Sequence, residues 1–170
     1  MKHHVANFIT LVNLLCGCAA IWLTLHGQIE WACIFIIAGA TFDFFDGFAA
    51  RALGASSELG KQLDSLSDAV TFGVAPSIMI AYFVELSFID RGIILATSEK
   101  LITAIPCFIN AMFAALRLAK FNIDTRQSIN FIGLPSPANG IFFISLSWLL
   151  VTNQHAYMFM SKHYYLYYLL

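Results

Sequence analysis

The stretch Phe8–Leu25, FITLVNLLCGCAAIWLTL, runs for 18 residues without a charged side chain. A hydrocarbon core about 30 Å thick takes roughly 20 mainly apolar residues of helix, so this stretch predicts a membrane-spanning helix. Lys2 ahead of it and Leu15-Cys16-Gly17-Cys18 within it loosely resemble an export signal with a lipoprotein cleavage site. Its length and the apolar runs that follow favour a span. Those runs are Trp31–Phe42, Ala69–Phe83, Leu101–Leu116, Gly140–Val151 and Tyr157–Leu170. Extended through their polar flanks they predict an all-α, polytopic membrane protein, a bundle of about six helices forming a single domain over residues 1–170. The last run holds Lys162 and stops at Leu170, so the sixth helix is expected to be short or cut off.

Composition agrees with a bilayer as solvent: 59% of residues are hydrophobic and 11% charged, against about 25% charged in a soluble domain. A net charge of −1 excludes a basic nucleic-acid binder and a disordered acidic tail. Cys16, Cys18, Cys33 and Cys107 lie in apolar runs with no Cys-x-x-Cys, which predicts buried free thiols. With six spans, Lys2, Arg51, Lys61, Arg117, Lys120 and Arg126 fall on one side and Arg91, Lys100 and Lys162 on the other, which places the first side in the cytoplasm. Asp90, Arg91, Glu99 and Lys100 read as a solvated loop, and His3, His4, His26, His155 and His163 as solvated span ends. Trp31, Trp148, Tyr157, Tyr164, Tyr165, Tyr167 and Tyr168 read as lipid-facing or interfacial anchors.

Acidic residues inside membrane segments are costly, and each asks for a partner or a task. Asp43 and Asp46 lie three apart, about 60° around a helix and on one face. Gly47 and Ala50 continue that face, while Phe44, Phe45 and Phe48 point elsewhere. Downstream, Gly60, Asp64 and Asp68 recur every four residues, with Ser57, Ser67 and Thr71 near the same stripe. Four facing carboxylates repel in a low-dielectric site unless divalent cations neutralise them. All-oxygen ligands without His or Cys point to one or two Mg²⁺ or Mn²⁺ ions, which keep positions open for substrate phosphates. Arg51 lies on nearly the same face as Asp43 and suits phosphate oxygens. The competing explanation is simple pairing of the acids with Arg51, Lys61 and Arg117.

The pattern Asp43-x-x-Asp46-Gly47-x-x-Ala50-Arg51, eight residues, then Gly60-x-x-x-Asp64-x-x-x-Asp68 resembles, at every fixed position, the signature of the CDP-alcohol phosphotransferases. The resemblance implies six membrane helices, a homodimer, and displacement of CMP from a CDP-linked lipid or alcohol by a hydroxyl. It implies that Asp43, Asp46, Asp64 and Asp68 hold two divalent ions, that Asp68 is also the catalytic base, and that Gly47, Ala50, Arg51 and Gly60 form the CDP pocket. Thr10-x-x-Asn13, Arg117-Leu118-Ala119-Lys120-Phe121-Asn122 and the segment Phe131 to Asn139 are similar to the integral-membrane branch of that family. That branch uses CDP-diacylglycerol as donor and L-serine as acceptor.

Thr10 and Asn13 are thereby expected at the CDP-lipid, and the enzyme in the plasma membrane of a prokaryote, among membrane lipids. Arg117, Lys120 and Arg126, with Asn122, Asp124 and Thr125, make a polar cluster able to receive a zwitterionic amino acid or lipid phosphates. Ordinary positive-inside loop charge is the plainer account of each cation. Glycerol phosphate or inositol phosphate as acceptor would call for further basic residues near the first and fourth helices, yet Lys2 is the only Lys or Arg between Met1 and Leu25. An intramembrane prenyltransferase or a transporter would also place acids in the membrane. The Asp spacing argues against the first, and the two glycines and Arg51 in register against the second.

Overall fold

The computed structural model describes residues 2–52, 54, 57–123 and 135–169, with side chains from Ala6 onward except those of Ala50 and Arg51. Helix α1 covers Lys2–Leu25 and α2 Ile29–Ala52. Helix α3, Glu58–Asp68, passes through a wide π turn, Ala69–Val74, into α4, Ala75–Asp90. Helix α5, Thr97–Ala104, passes through a 3₁₀ turn, Ile105–Phe108, into α6, Ile109–Ile123. Helix α7 is Ser136–Thr152 and α8 Gln154–Lys162, followed by a 3₁₀ turn at Tyr164–Tyr168. Among the described residues, four segments are long and apolar enough to cross a membrane: Ala6–Leu25, Ile29–Ala49, Glu58–Asp90 and Thr97–Ile123. The fifth apolar run forms the shorter α7.

The two reversals at one end use the same device. Gly27 (φ 72°) and Gly92 (φ 71°) adopt the left-handed conformation that ends α1 and α4. In each, the residue after the glycine donates back across the last turn, Gln28 to the Leu23 carbonyl and Ile93 to that of Phe88. Inside the spans, hydroxyls are satisfied locally: Thr10, Thr24, Thr41, Ser77 and Ser145 each donate to the carbonyl four residues back. The Glu58–Asp90 helix is the core, 56% buried, whereas Thr97–Ile123 is 11% buried and gives its apolar side chains to lipid. Trp22, Trp31 and Trp148 are exposed near the same ends of α1, α2 and α7, at the level of a membrane interface.

The sixth run, expected to be short or cut off, makes only the nine-residue α8 and the 3₁₀ turn, too short to span. Three expectations change. The loop charges hold this segment in place: Arg91 donates to the carbonyls of Ser161 and Lys162 and stacks on the Tyr164 ring, while Tyr157 donates to Asp90. Tyr167 is therefore no lipid anchor; it is buried and stacked parallel to Phe83. Cys16, Cys33 and Cys107 are buried as expected, but Cys18 is exposed because it lies on the outer face of α1.

Candidate active site

The site lies where α1, α2 and α3 meet, towards the end of the bundle that carries the N-terminus of α1. Carboxylate oxygens of Asp43, Asp64 and Asp68 come within 4.8 Å of one another. Asp46, one turn beyond Asp43, is buried and faces a cavity of about 510 Å³ that Asp64, Thr10, Gly47 and Gly60 also line. Phe44, Phe45 and Phe48 are exposed on the opposite face, as the helical spacing predicts. The cavity wall includes Ser57, which the sequence placed near the acid stripe, Lys61, which it offered only as a charge partner of the acids, and Asn7 and Glu58, which it did not assign to the site. Ser57 caps α3 by accepting from the Gly60 amide, and its place before Glu58 was a legible helix-start signal.

Helix α1 holds the cluster in register. Ser67 donates to the Thr10 carbonyl and Thr71 to the Asn13 carbonyl, both at 3.1 Å. Asn13 is fully buried and its Nδ2 donates to Asp68 Oδ1 at 3.4 Å. Two glycines permit this approach. A Cβ at Gly17 would lie 2.5 Å from Thr71 Oγ1 and 2.9 Å from its Cα, and one at Gly39 would lie 2.7 Å from Thr71 Cγ2 and 2.9 Å from Asn13 Oδ1. Small residues at helix contacts are the usual means of close packing in membranes. Gly39→Ala should therefore cost about 1–3 kcal/mol by overpacking. Thr71→Ser removes Cγ2 while keeping the hydroxyl that bonds Asn13, so adding it should restore part of the loss. Thermal unfolding in detergent checks this; strictly additive losses would refute the contact as cause.

The π turn follows Asp68 directly. Pro76 has no N–H to give the Phe72 carbonyl one turn back, and its ring would crowd that carbonyl in a regular helix. The turn widens, and Asn139 Nδ2 from α7 supplies the missing donor at 3.3 Å. Asn139 also donates to Asn110 Oδ1 at 3.0 Å. Gly140 leaves room for Phe72, since a Cβ there would meet the ring at 2.7 Å. Beyond Asp68, within hydrogen-bonding reach of its carboxylate, is the Ser136 hydroxyl at the start of α7.

The basic cluster divides. Arg117 is half-buried and within electrostatic reach of Asp68, while Lys120 is exposed. Asn122 is engaged with α3: its Nδ2 donates to Ser65 and Gln62, and its carbonyl accepts from Lys61 Nζ at 3.0 Å. Lys61 thus directs its charge to a backbone carbonyl at the end of α6. Arg126 and the side chains of Ala50 and Arg51 lie outside the described residues.

The acid cluster suits a small divalent cation. Ligand oxygens around an ion with bonds of about 2.0–2.1 Å lie some 3–4 Å apart, the spacing that this trio reaches with slight adjustment. Asp46 Oδ2 and Asn13 Oδ1 are buried without a hydrogen-bond partner among the described residues, and a buried unpaired carboxylate oxygen is costly without a cation.

A family model described as CDP-alcohol phosphatidyltransferase matches residues 3–168. The chain is 42% identical over 146 residues to a CDP-diacylglycerol–serine O-phosphatidyltransferase of Bacillus subtilis, an alignment covering 85% of this chain and 76% of the relative. It is 34% identical over 140 residues to the Helicobacter pylori (strain J99) protein of the same name, with 81% of this chain and 54% of the relative covered. An archaetidylserine synthase of Methanothermobacter thermautotrophicus is 33% identical over 137 residues, with 79% and 54% covered. The chain thus spans about three quarters of the Bacillus relative and about half of the other two. No solved structure matches it.

Proposed function

The chain belongs to the CDP-alcohol phosphatidyltransferase family, and from that premise we propose that it transfers the phosphatidyl group of CDP-diacylglycerol to the hydroxyl of L-serine. The observation that carries the reading is the Asp43–Asp64–Asp68 cluster, whose Asp64 lines, together with Asp46, a cavity large enough for a nucleotide headgroup. The names of its relatives favour serine as acceptor.

In this reading the CDP moiety enters the larger cavity, where Gly47 and Gly60 let it approach the backbone and Thr10 offers a hydroxyl. Asp43, Asp46, Asp64 and Asp68 would hold two Mg²⁺ or Mn²⁺ ions, which when bound supply positive charge against the diphosphate. Arg51 adds to that charge. Asp68 takes the proton of the serine hydroxyl as its oxygen forms a bond to the lipid-side phosphorus. The phosphoanhydride bond breaks and CMP leaves. Asn13 keeps the Asp68 carboxylate oriented through Nδ2. Arg117, Lys120, Asn122 and Arg126 would receive the acceptor or lipid phosphates.

Residues 1–170 act as one unit here, since α1, α2, α3, α6 and α7 all reach the site or its rim. The protein is integral to the membrane; the proposal adds a homodimer in a prokaryotic plasma membrane, with the acids towards the cytoplasm. The test is CMP release from CDP-diacylglycerol with a panel of alcohols. Serine should support release well above glycerol 3-phosphate, inositol phosphate and a no-acceptor control. Release driven by a phosphorylated alcohol and not by serine would overturn the acceptor.

A further inference from the structure

Helix α7 braces the π turn from the side. Ser136 faces Asp68, just before the turn, and Asn139 bonds the Phe72 carbonyl within it, so two residues three apart on α7 meet positions four apart on the α3–α4 helix. We propose that Asn139 is a positioning residue for catalysis: from α7 it holds the π turn in its wide form, and through the turn it sets the direction of the Asp68 carboxylate without touching substrate. The inference rests on the reading of Asp68 as the base of serine transfer and adds the residue that aims it.

Asn139 donates one N–H to the Phe72 carbonyl and the other to Asn110 Oδ1. Asn110 Nδ2 in turn donates to Ser77 Oγ at 3.4 Å, and the Ser77 hydroxyl donates to the Gly73 carbonyl at 2.8 Å. The network leaves the turn at one carbonyl and returns to it at the next. A carbonyl can only accept, so Phe72 fixes which end of the Asn139 amide faces the turn, and the direction of every later bond follows.

Such a network is costly where it stands. Phe72 and Ser77 are fully buried, and Asn110 lies in the middle of the span Thr97–Ile123, where a carboxamide needs a partner or a purpose. An ordinary residue in place of Pro76 would bring the N–H of a regular helix and leave both carboxamides unneeded. The chain instead has a proline that opposes the regular helix and, on two other helices, the groups that support the wide turn. Gly73 seats that turn against α6, since a Cβ there would lie 3.1 Å from Ala114 Cβ. Packing thus fixes where the turn lies, and the Asn139 bond fixes how it is wound. The turn begins at Ala69, directly after Asp68, so its winding decides which way that carboxylate points.

The experiment uses the full chain in CDP-diacylglycerol mixed micelles, as wild type, Asn139→Leu, which keeps the shape without a donor, and Asn110→Leu, which spares the Phe72 bond. Asn139→Leu should lower kcat for serine transfer about 10–100-fold, as for a displaced catalytic group, with both KM values within about threefold of wild type. Asn110→Leu should lower kcat about 2–10-fold, the worth of one neutral hydrogen bond. A second readout needs no turnover: the distance between spin labels on Phe48→Cys and Leu66→Cys, exposed on α2 and α3, in a chain whose exposed Cys18 is changed to Ala. Asn139→Leu should shift or broaden that distance. A lowered thermal midpoint with the kcat and label distance of wild type would make Asn139 a packing residue and overturn the proposal. A rise in either KM at unchanged kcat, the mark of direct substrate binding, would overturn it as well. Should Asn139→Leu not fold, wild-type kcat and label distance in Asn110→Leu would be the overturning result. No serine-dependent CMP release by wild type would reject the transfer reaction instead, and the label distance then decides alone whether Asn139 aims α3.

Discussion

Asp68→Asn should retain CDP-diacylglycerol and metal binding and lose serine transfer by roughly 10²–10⁴-fold, the usual worth of a general base. The substitution keeps the side-chain shape and an Oδ1 for Asn13 Nδ2 to bond, while its amide cannot take a proton. Asp68 is the right residue for the comparison because it belongs to the acid trio and also faces Ser136 at the start of α7. Asp43→Asn is the control: it lies in the same trio on the α2 side and should lose donor and metal binding along with turnover. Near wild-type transfer by Asp68→Asn would overturn both its roles. Equal loss of donor affinity in the two variants would reject Asp68 as base and leave it a ligand.

Removal of divalent cations should abolish turnover, with Mg²⁺ or Mn²⁺ restoring it. The reason lies in the charge balance of the site: Asp43, Asp64 and Asp68 crowd within 4.8 Å, and Asp46 adds a buried oxygen without a partner. Like charges so placed repel by several kcal/mol at intermediate dielectric. A chelator should therefore also lower the thermal midpoint in detergent, and added Mn²⁺ should raise it in a concentration-dependent way. Asp43→Asn should blunt that metal response. Full activity in the chelator, or a midpoint indifferent to metal in wild type, would refute the metal centre.

Much of this was legible in the chain itself, for physical reasons. Uninterrupted apolar runs fix spans because lipid leaves the backbone no partner but itself. Acids at spacings of three and four fix a face, and Asp43, Asp64 and Asp68 do converge. What escaped was long-range. Nothing local in Tyr157–Leu170 reveals that Arg91 caps α8 and that Tyr167 packs on Phe83, because both partners lie seventy residues or more away. Pro76 within an apolar run did carry a signal of an interrupted helix, but Asn139, the residue that answers it, comes sixty-three positions later. Asn110, a carboxamide within the run Leu101–Leu116, could have been singled out as a polar group in lipid needing a purpose. Gly17 and Gly39 bear no mark of their own until Thr71 is seen between them.

The wide turn at Ala69–Val74 works as a gear between two halves of one rod. Each helical residue advances the chain by about 100°, so a turn that absorbs a surplus residue leaves the carboxylate half and the Met79–Phe83 half rotated against each other by about that amount. Deleting one residue there would barely shorten the rod. It would force a choice: Asp64 and Asp68 swing away from Asp43, or Met79, Phe83 and Val84 turn out of the bundle into lipid. The length of this turn is thus locked to the angle between catalysis and packing.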